Sequence, residues 1–231
     1  MKKIQLMIFT LVCVLILTAT SCSLGGDSNS NPDQGMFLVA NISPDSPPLS
    51  MNINGSSFSA NLNYGNYTPY YIATAGSYKF DFYGTGTAPV LTKTVNIETS
   101  KRYSSFVIDS FSTLKLSFVE DKLFQPAADS VYVRFFNFSP DSQPVNLYDS
   151  ASKTKLYSMR YFNDEASNAI YTEFGRVKAG IYTLRLTTPS DSVLATRKDT
   201  LTGGHIYSLF AKGFVGGTGN QAIGIGQLIH Y

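Results

Sequence analysis

"NFSPDSQPVNLY" (residues 137–148) and "NISPDSPPLSMN" (residues 41–52) spell Asn-x-Ser-Pro-Asp-Ser-x-Pro twice, 96 positions apart. Pro44 and Pro140 preset φ near about −65° at the second position of a β-turn, and Asp45 and Asp141 suit the position after it. Ser43 and Ser139 carry hydroxyls that can bond forward into the turn backbone. Apolar alternation resumes at Leu49/Met51/Ile53 and at Val145/Leu147. The motif therefore reads as a strand–turn–strand connector, with Asn41 and Asn137 ending the first strand. A duplicated structural unit needs the same connector twice.

The duplication extends well past the connector. "AGSYKFDF" (75–82) matches "AGIYTLRL" (179–186), "VLTKTVNI" from Val90 matches "VLATRKDTL" from Val193, and Tyr103 matches Tyr207. The offset grows from 96 to 104, which places about 8 extra residues of the second copy around Arg160–Tyr171. Matching punctuation and apolar phase over both halves marks a repeat.

The apolar period is two. Tyr78/Phe80/Phe82, Leu114/Leu116/Phe118 and Tyr182/Leu184/Leu186 each alternate with polar residues, and Gly, Pro, Asn and Ser clusters bound them. Such alternation predicts half-buried antiparallel strands, seven or eight per copy, with one helical turn near Asp164–Ala169. The expected fold is all-β: two tandem antiparallel β-sandwiches of the immunoglobulin/transthyretin-like kind, over residues 36–124 and 125–231. With no tryptophan and no disulfide, the core differs from that of antibody domains.

The N-terminus carries an address. Lys2 and Lys3 precede an apolar stretch from Leu6 to Leu17, too short to span a bilayer and followed by Ala19-Thr20-Ser21-Cys22. This resembles the lipobox of bacterial lipoproteins, in which residues 1–21 would be a cleaved signal and Cys22 the lipidated residue. Two or three acyl chains, at about 0.8 kcal/mol per buried methylene, hold durably where one does not. Residues 22–35 then read as the lipidated cysteine and a Ser/Gly/Asn-rich tether with a reach of roughly 20 Å.

Composition narrows the chemistry. The only cysteines are Cys13 and Cys22, so the mature chain has no thiol for a disulfide, metal or nucleophile. Loss of Lys2 and Lys3 takes the 18 basic residues to 16, level with the 16 acidic ones. Neutral balance without basic blocks argues against nucleic acid as a partner.

Arg134-Phe-Phe-Asn-Phe-Ser-Pro-Asp141, Val145-Asn-Leu-Tyr148, Ala179-Gly-Ile-Tyr182 and Gly204-His-Ile-Tyr207 together resemble the DUF4397 family, here in tandem over 36–118 and 131–214. The resemblance implies a β-rich extracytoplasmic bacterial lipoprotein of the Bacteroidetes type, without an implied activity. That family's pattern has His two residues before Ser-Pro-Asp, where this chain has Asn41 and Asn137.

No catalytic constellation stands out. His205 and His230 are the only histidines, and neither sits in a hydrolase or metalloprotease motif. Asp45 and Asp141 read as turn residues, and no cofactor or metal site is expected. The tyrosine-rich "NYGNYTPYY" (63–71) offers Tyr64, Tyr67 and Tyr70 as a binding surface for a glycan or an envelope protein. Asp followed by Ser or Thr and a small or aliphatic residue, at Ser130, Ser150, Ser192 and Thr200, resembles the Bacteroidetes O-glycosylation signal. The expected function is a non-catalytic binding or adhesion module at the cell envelope, membrane-anchored by lipid and facing the periplasm or the surface from the outer membrane. Pilus-like assembly by strand addition is the alternative, and a hydrolase has the least support.

Overall fold

Residues 33–230 are described by the computed structural model, and the proposed signal, Cys22 and most of the tether lie outside them. Each copy folds into eight strands. The first has β1 (Gln34–Asn41), β2 (Leu49–Ile53), β3 (Ser56–Leu62), β4 (Tyr71–Thr74), β5 (Gly76–Tyr83), β6 (Leu91–Ile97), β7 (Arg102–Ile108) and β8 (Lys115–Glu120). The second repeats them as β9 (Ser130–Asn137), β10 (Val145–Asp149), β11 (Thr154–Arg160), β12 (Gly175–Lys178), β13 (Gly180–Thr187), β14 (Val193–Leu201), β15 (Ile206–Lys212) and β16 (Gly224–Ile229).

Four sheets result, ordered β4-β1-β7-β8 and β3-β2-β5-β6 in the first unit, β12-β9-β15-β16 and β11-β10-β13-β14 in the second. The topologies are identical strand for strand. The second copy's extra residues lie mainly between β11 and β12, where 161–174 corresponds to 63–70 and holds the 3-10 turns Asp164–Ala166 and Ala169–Thr172.

One expectation needs correction. The sheets containing β1 and β9 are not purely antiparallel, because β1 pairs with β7 in parallel and β9 with β15 in parallel. The chain leaves β1, runs a hairpin in the opposite sheet, returns as β4, leaves again and re-enters as β7 from the original end. A period of two reports which face is buried and is blind to strand direction.

The strands are also not all half-buried. Cores fill each sandwich, one around Phe37, Phe80 and Phe82, the other around Phe135, Leu184 and Leu186. A third core joins Leu38, Ala40, Ile42, Phe106, Ile108 and Val119 to Phe136, Phe138, Phe210 and Leu228. The sheets of β1 and β9 therefore face each other and are covered on both sides, which explains the near-continuous burial along β1, β7, β9 and β15. Phe106 meets Phe138 at 5.0 Å and Phe136 at 5.7 Å between ring centroids. Gly226 leaves room for the Phe210 ring, which a Cβ there would overlap. The result is one four-layered body.

The contacting positions are equivalent in the two units. By strand alignment Ala40 corresponds to Phe136, Ile42 to Phe138, Phe106 to Phe210 and Val119 to Leu228. The tips of the units also lie side by side. Lys212 Nζ stands 4.6 Å over the Tyr64 ring, and Lys115 Nζ stands 5.0 Å over the Phe162 ring.

Candidate functional site: the buried junction between the units

The duplicated connectors close in the same way. Asn41 Oδ1 accepts from Ser43 N (3.1 Å), and Asn41 Nδ2 donates to Ser46 Oγ (2.9 Å) and Leu62 O (2.9 Å). Asn137 does the same with Ser139 N (3.1 Å), Ser142 Oγ (3.0 Å) and Arg160 O (3.1 Å). Asp45 Oδ1 accepts from Phe111 N (2.7 Å) and Asp141 Oδ1 from Val215 N (2.9 Å). The carboxylates thus staple each connector to the turn after β7 or β15. Ser139 Oγ donates to Gly213 O (2.6 Å), whereas the buried Ser43 hydroxyl has no partner among the described residues. Asparagine, rather than histidine, is the hub of this turn.

A polar network occupies the third core. Arg134, fully buried on β9, donates through Nη2 to Asp121 Oδ1, through Nη1 to Glu120 O (3.2 Å) and through Nε to Ser208 Oγ (2.7 Å). Ser208 Oγ lies 2.8 Å from His230 Nε2, and His230 Nδ1 lies 2.7 Å from Tyr70 OH. Tyr70 OH donates to Asp121 Oδ2 (2.6 Å), which also accepts from Ser104 Oγ (2.8 Å). Because Tyr70 gives its proton to Asp121, its oxygen accepts from His230 Nδ1–H, and Nε2 accepts from Ser208. The bonds form a closed ring from Arg134 through Ser208, His230, Tyr70 and Asp121 back to Arg134.

The ring sits on equivalent positions of the duplication. Ser104 aligns with Ser208, Asp121 with His230, Tyr70 with Phe174, and Leu38 with Arg134. Asp121 N bonds Arg102 O (2.7 Å) just as His230 N bonds Ile206 O (2.9 Å). The serine is kept in both units, whereas the other pairs have diverged: acid against imidazole, phenol against phenyl, leucine against arginine. Phe174 closes the ring from the side, edge-on to His230 at 5.6 Å and 4.4 Å from the Arg134 guanidinium carbon.

The 161–174 insertion holds the other side of the junction. Glu165 Oε1 accepts from Ser117 Oγ of β8 (2.6 Å), and Glu173 pairs with Lys122 (2.5 Å). Arg160 pairs with Asp164 (2.6 Å) beneath Tyr171 and donates to Phe135 O. Glu165 Oε2 is buried with no partner among the described residues.

Burial dominates the electrostatics. It lowers the His230 pKa to about 4, Arg134 adding to the effect and Asp121 opposing it, so the ring is neutral imidazole at neutral pH. Burial, then the Asp121 carboxylate, raises Tyr70. Burial also raises Glu165 and pushes Tyr64 up to about 12. Ser208, His230, Tyr70 and Asp121 have the order of a nucleophile, base and orienting acid. Ser208 is fully buried, however, and its oxygen already receives Arg134.

The three tyrosines singled out in the sequence part company. Tyr70 belongs to the buried ring, Tyr64 is half-buried against Lys212, and Tyr67 is 43% exposed. His205 stays outside the ring, with Nδ1 3.0 Å from Gly203 O. Ser130 is buried, donating to Asp129 and accepting from Arg176, and the half-buried Ser150 donates to Thr183 O (3.1 Å). Ser192 and Thr200 are exposed. No group of three or more His, Cys, Asp or Glu side chains that could hold a metal occurs among the described residues. No helix among them is long and apolar enough to cross a membrane.

Sequence reasoning passed over Arg134 and Asp121. The signal for Arg134 was present: it is the one charge inside the apolar run "VYVRFFNF" (131–138). Asp121 and His230 both sit one residue beyond an edge strand, where the pattern is silent.

A family model, "Domain of unknown function (DUF4397)", matches residues 35–148, which covers the first unit and the start of the second. No curated protein matches the sequence. Among solved structures, the Bacillus anthracis TIE protein is 12% identical, with a TM-score of 0.23. That match covers 78% of this chain and spans 34% of the other.

Proposed function

We propose that this protein is a lipid-anchored, non-catalytic binding module of the bacterial cell envelope, tethered through Cys22 and built from two DUF4397-type, immunoglobulin/transthyretin-like units. One observation carries the reading: the histidine–serine–carboxylate constellation of Ser208, His230 and Asp121 is closed on itself inside the junction. Its protons are committed to the ring and its serine has no exposure, so it serves to fix the two units against each other. A rigid two-unit scaffold presenting loops is how such modules recognise partners.

The tether enters at the start of β1, and the 42–48 connector lies at its other end, about 26 Å away for an eight-residue strand. The exposed Tyr67 and Tyr161 lie near that far end, beside the loops of both units. Glycan and envelope-protein arrays probed with the full chain test the reading. Tyr67→Ala should weaken capture without lowering the melting temperature. Cys22→Ser should abolish palmitate labelling and membrane fractionation. Turnover of a substrate lost on Ser208→Ala would reject the reading.

Assembly by strand addition is a second reading with one observation in its favour. Edge strand β4 carries no charge and holds Ile72 63% exposed, whereas its counterpart β12 carries Arg176 and Lys178.

A further inference from the structure

The duplication supplies an internal control. Two units of identical topology need the same residues wherever the fold alone decides, so a face that differs between them marks something else. In the inner layers some positions are kept, Phe106 with Phe210 and Ser104 with Ser208, and the differing ones, Asp121 with His230 and Leu38 with Arg134, lie in the junction where the two units meet. The outward-facing sides of the two outer sheets differ where no such junction accounts for it.

On the second unit's outer sheet, Lys155 of β11 pairs with Tyr148 of β10, which pairs with Arg185 of β13. Arg185 pairs with Thr196 of β14, and one row along, Thr183 pairs with Lys198. The core residues Leu147, Leu184 and Leu186 alternate with these, so Tyr148, Arg185 and Lys198 share the outward side. Lys155, Arg185 and Lys198 are exposed and Tyr148 is half-buried between them. Lys155 meets Asp191 at 3.3 Å, while Arg185 and Lys198 have no anionic partner among the described residues.

The equivalent positions in the first unit are Ser57, Asn52, Asp81 and Thr94. There Asp81 is neutralised by Lys79 at 3.0 Å and accepts from Thr92 Oγ1 (2.5 Å). Four matched positions thus change from one acid to three bases and an aromatic ring. The shared fold shows that neither set is required for folding.

We infer that the outer face of the β11-β10-β13-β14 sheet binds an anionic polysaccharide chain. The inference rests on the binding-module reading above and deepens it. Strands about 4.8 Å apart put Lys155 and Arg185 about 10 Å apart across Tyr148. That spacing suits acidic groups on alternate residues of a sugar chain, with the tyrosine ring between them as an apolar platform for the intervening pyranose. The Arg185 guanidinium matches a carboxylate or sulfate bidentately, and Lys198 supplies a point charge beside it. The charges are exposed, so the attraction is modest per contact and screened over about 8 Å at physiological salt.

The test is a titration of the full-length chain in neutral detergent with polygalacturonate, with dextran as the uncharged control, at low and high salt. Polygalacturonate binds, dextran does not, and added salt weakens the complex. Replacing Arg185→Asp together with Lys198→Thr, the first unit's own residues, lowers affinity about tenfold. Tyr148→Asn lowers it at unchanged melting temperature, and Arg102→Ser, which removes an exposed cation from the first unit, leaves it within about twofold. Failure to bind polygalacturonate, wild-type affinity of the double variant, an equal loss in Arg102→Ser, or equal affinity for duplex DNA would each overturn the inference. Array binding that depends on Tyr67 and survives without any polygalacturonate binding would remove this site and leave the binding-module reading standing.

Discussion

At the scale of single residues, the duplication exposes where the chain is strained. Asn61 and Met159 occupy the same position beside the same bulge, and both have positive φ, 59° and 52°. Asparagine tolerates the left-handed region and an unbranched apolar residue does not, by about 1 kcal/mol. Met159→Asn should therefore raise unfolding free energy by about 0.5–1 kcal/mol in a denaturant titration, since the side chain is exposed and little packing is lost. Asp141→Ala removes the carboxylate that holds Val215 N and should lower stability by about 1 kcal/mol. The turn role of Asp45 and Asp141 was legible in the Ser-Pro-Asp spelling. Their acceptor role was not, because Phe111 and Val215 lie 66 and 74 residues further along the chain. A local pattern cannot name a partner at that distance.

At the scale of elements, the approximate strand number was readable, seven or eight expected per copy against eight found, and strand direction was not. The alternation that marked β5, β8 and β13 carries no information on whether β1 meets β7 head-to-head or head-to-tail. Nor did it show that β8 turns Ser117 toward a second unit, since a polar residue between apolar ones reads as solvent-facing. The insertion was located correctly from the growing offset, but its purpose required the contacts of Glu165, Glu173 and Phe174. Those contacts give the junction a pH dependence. The folded state lowers the His230 pKa from 6.5 to about 4, so it favours the neutral ring. That stabilisation is complete above the unfolded value of 6.5 and is lost as pH falls through the interval to about 4, where the loss is on the order of 3 kcal/mol. Glu165, raised by burial, works in the opposite sense: its contribution is full below the ordinary glutamate range and is lost as pH rises through the raised value. Melting temperature should drop on acidification from pH 6.5 to 4, and His230→Gln should flatten that drop.

At the scale of the whole molecule, the Arg134–Asp121 pair decides whether the two units behave as one. Removing one member of a buried pair leaves an uncompensated charge or donor, at a cost of about 3–5 kcal/mol. Asp121→Leu should therefore destabilise by about that amount. Arg134→Leu added to it, restoring the leucine of the first unit, should recover much of the loss in the same denaturant titration. A smaller loss in the single than in the double variant would show the pair to be a minor part of the junction. The face that carries this pair is made of equivalent positions from both halves, Ala40 with Phe136, Phe106 with Phe210, Val119 with Leu228. A surface that meets its own counterpart is self-complementary in the manner of a two-fold dimer. Because both halves lie on one chain, the equivalent positions Leu38 and Arg134, or Asp121 and His230, can differ from each other, as they could not in a dimer of identical subunits. A single half released from its partner would still carry that oily surface and would pair with another copy of itself.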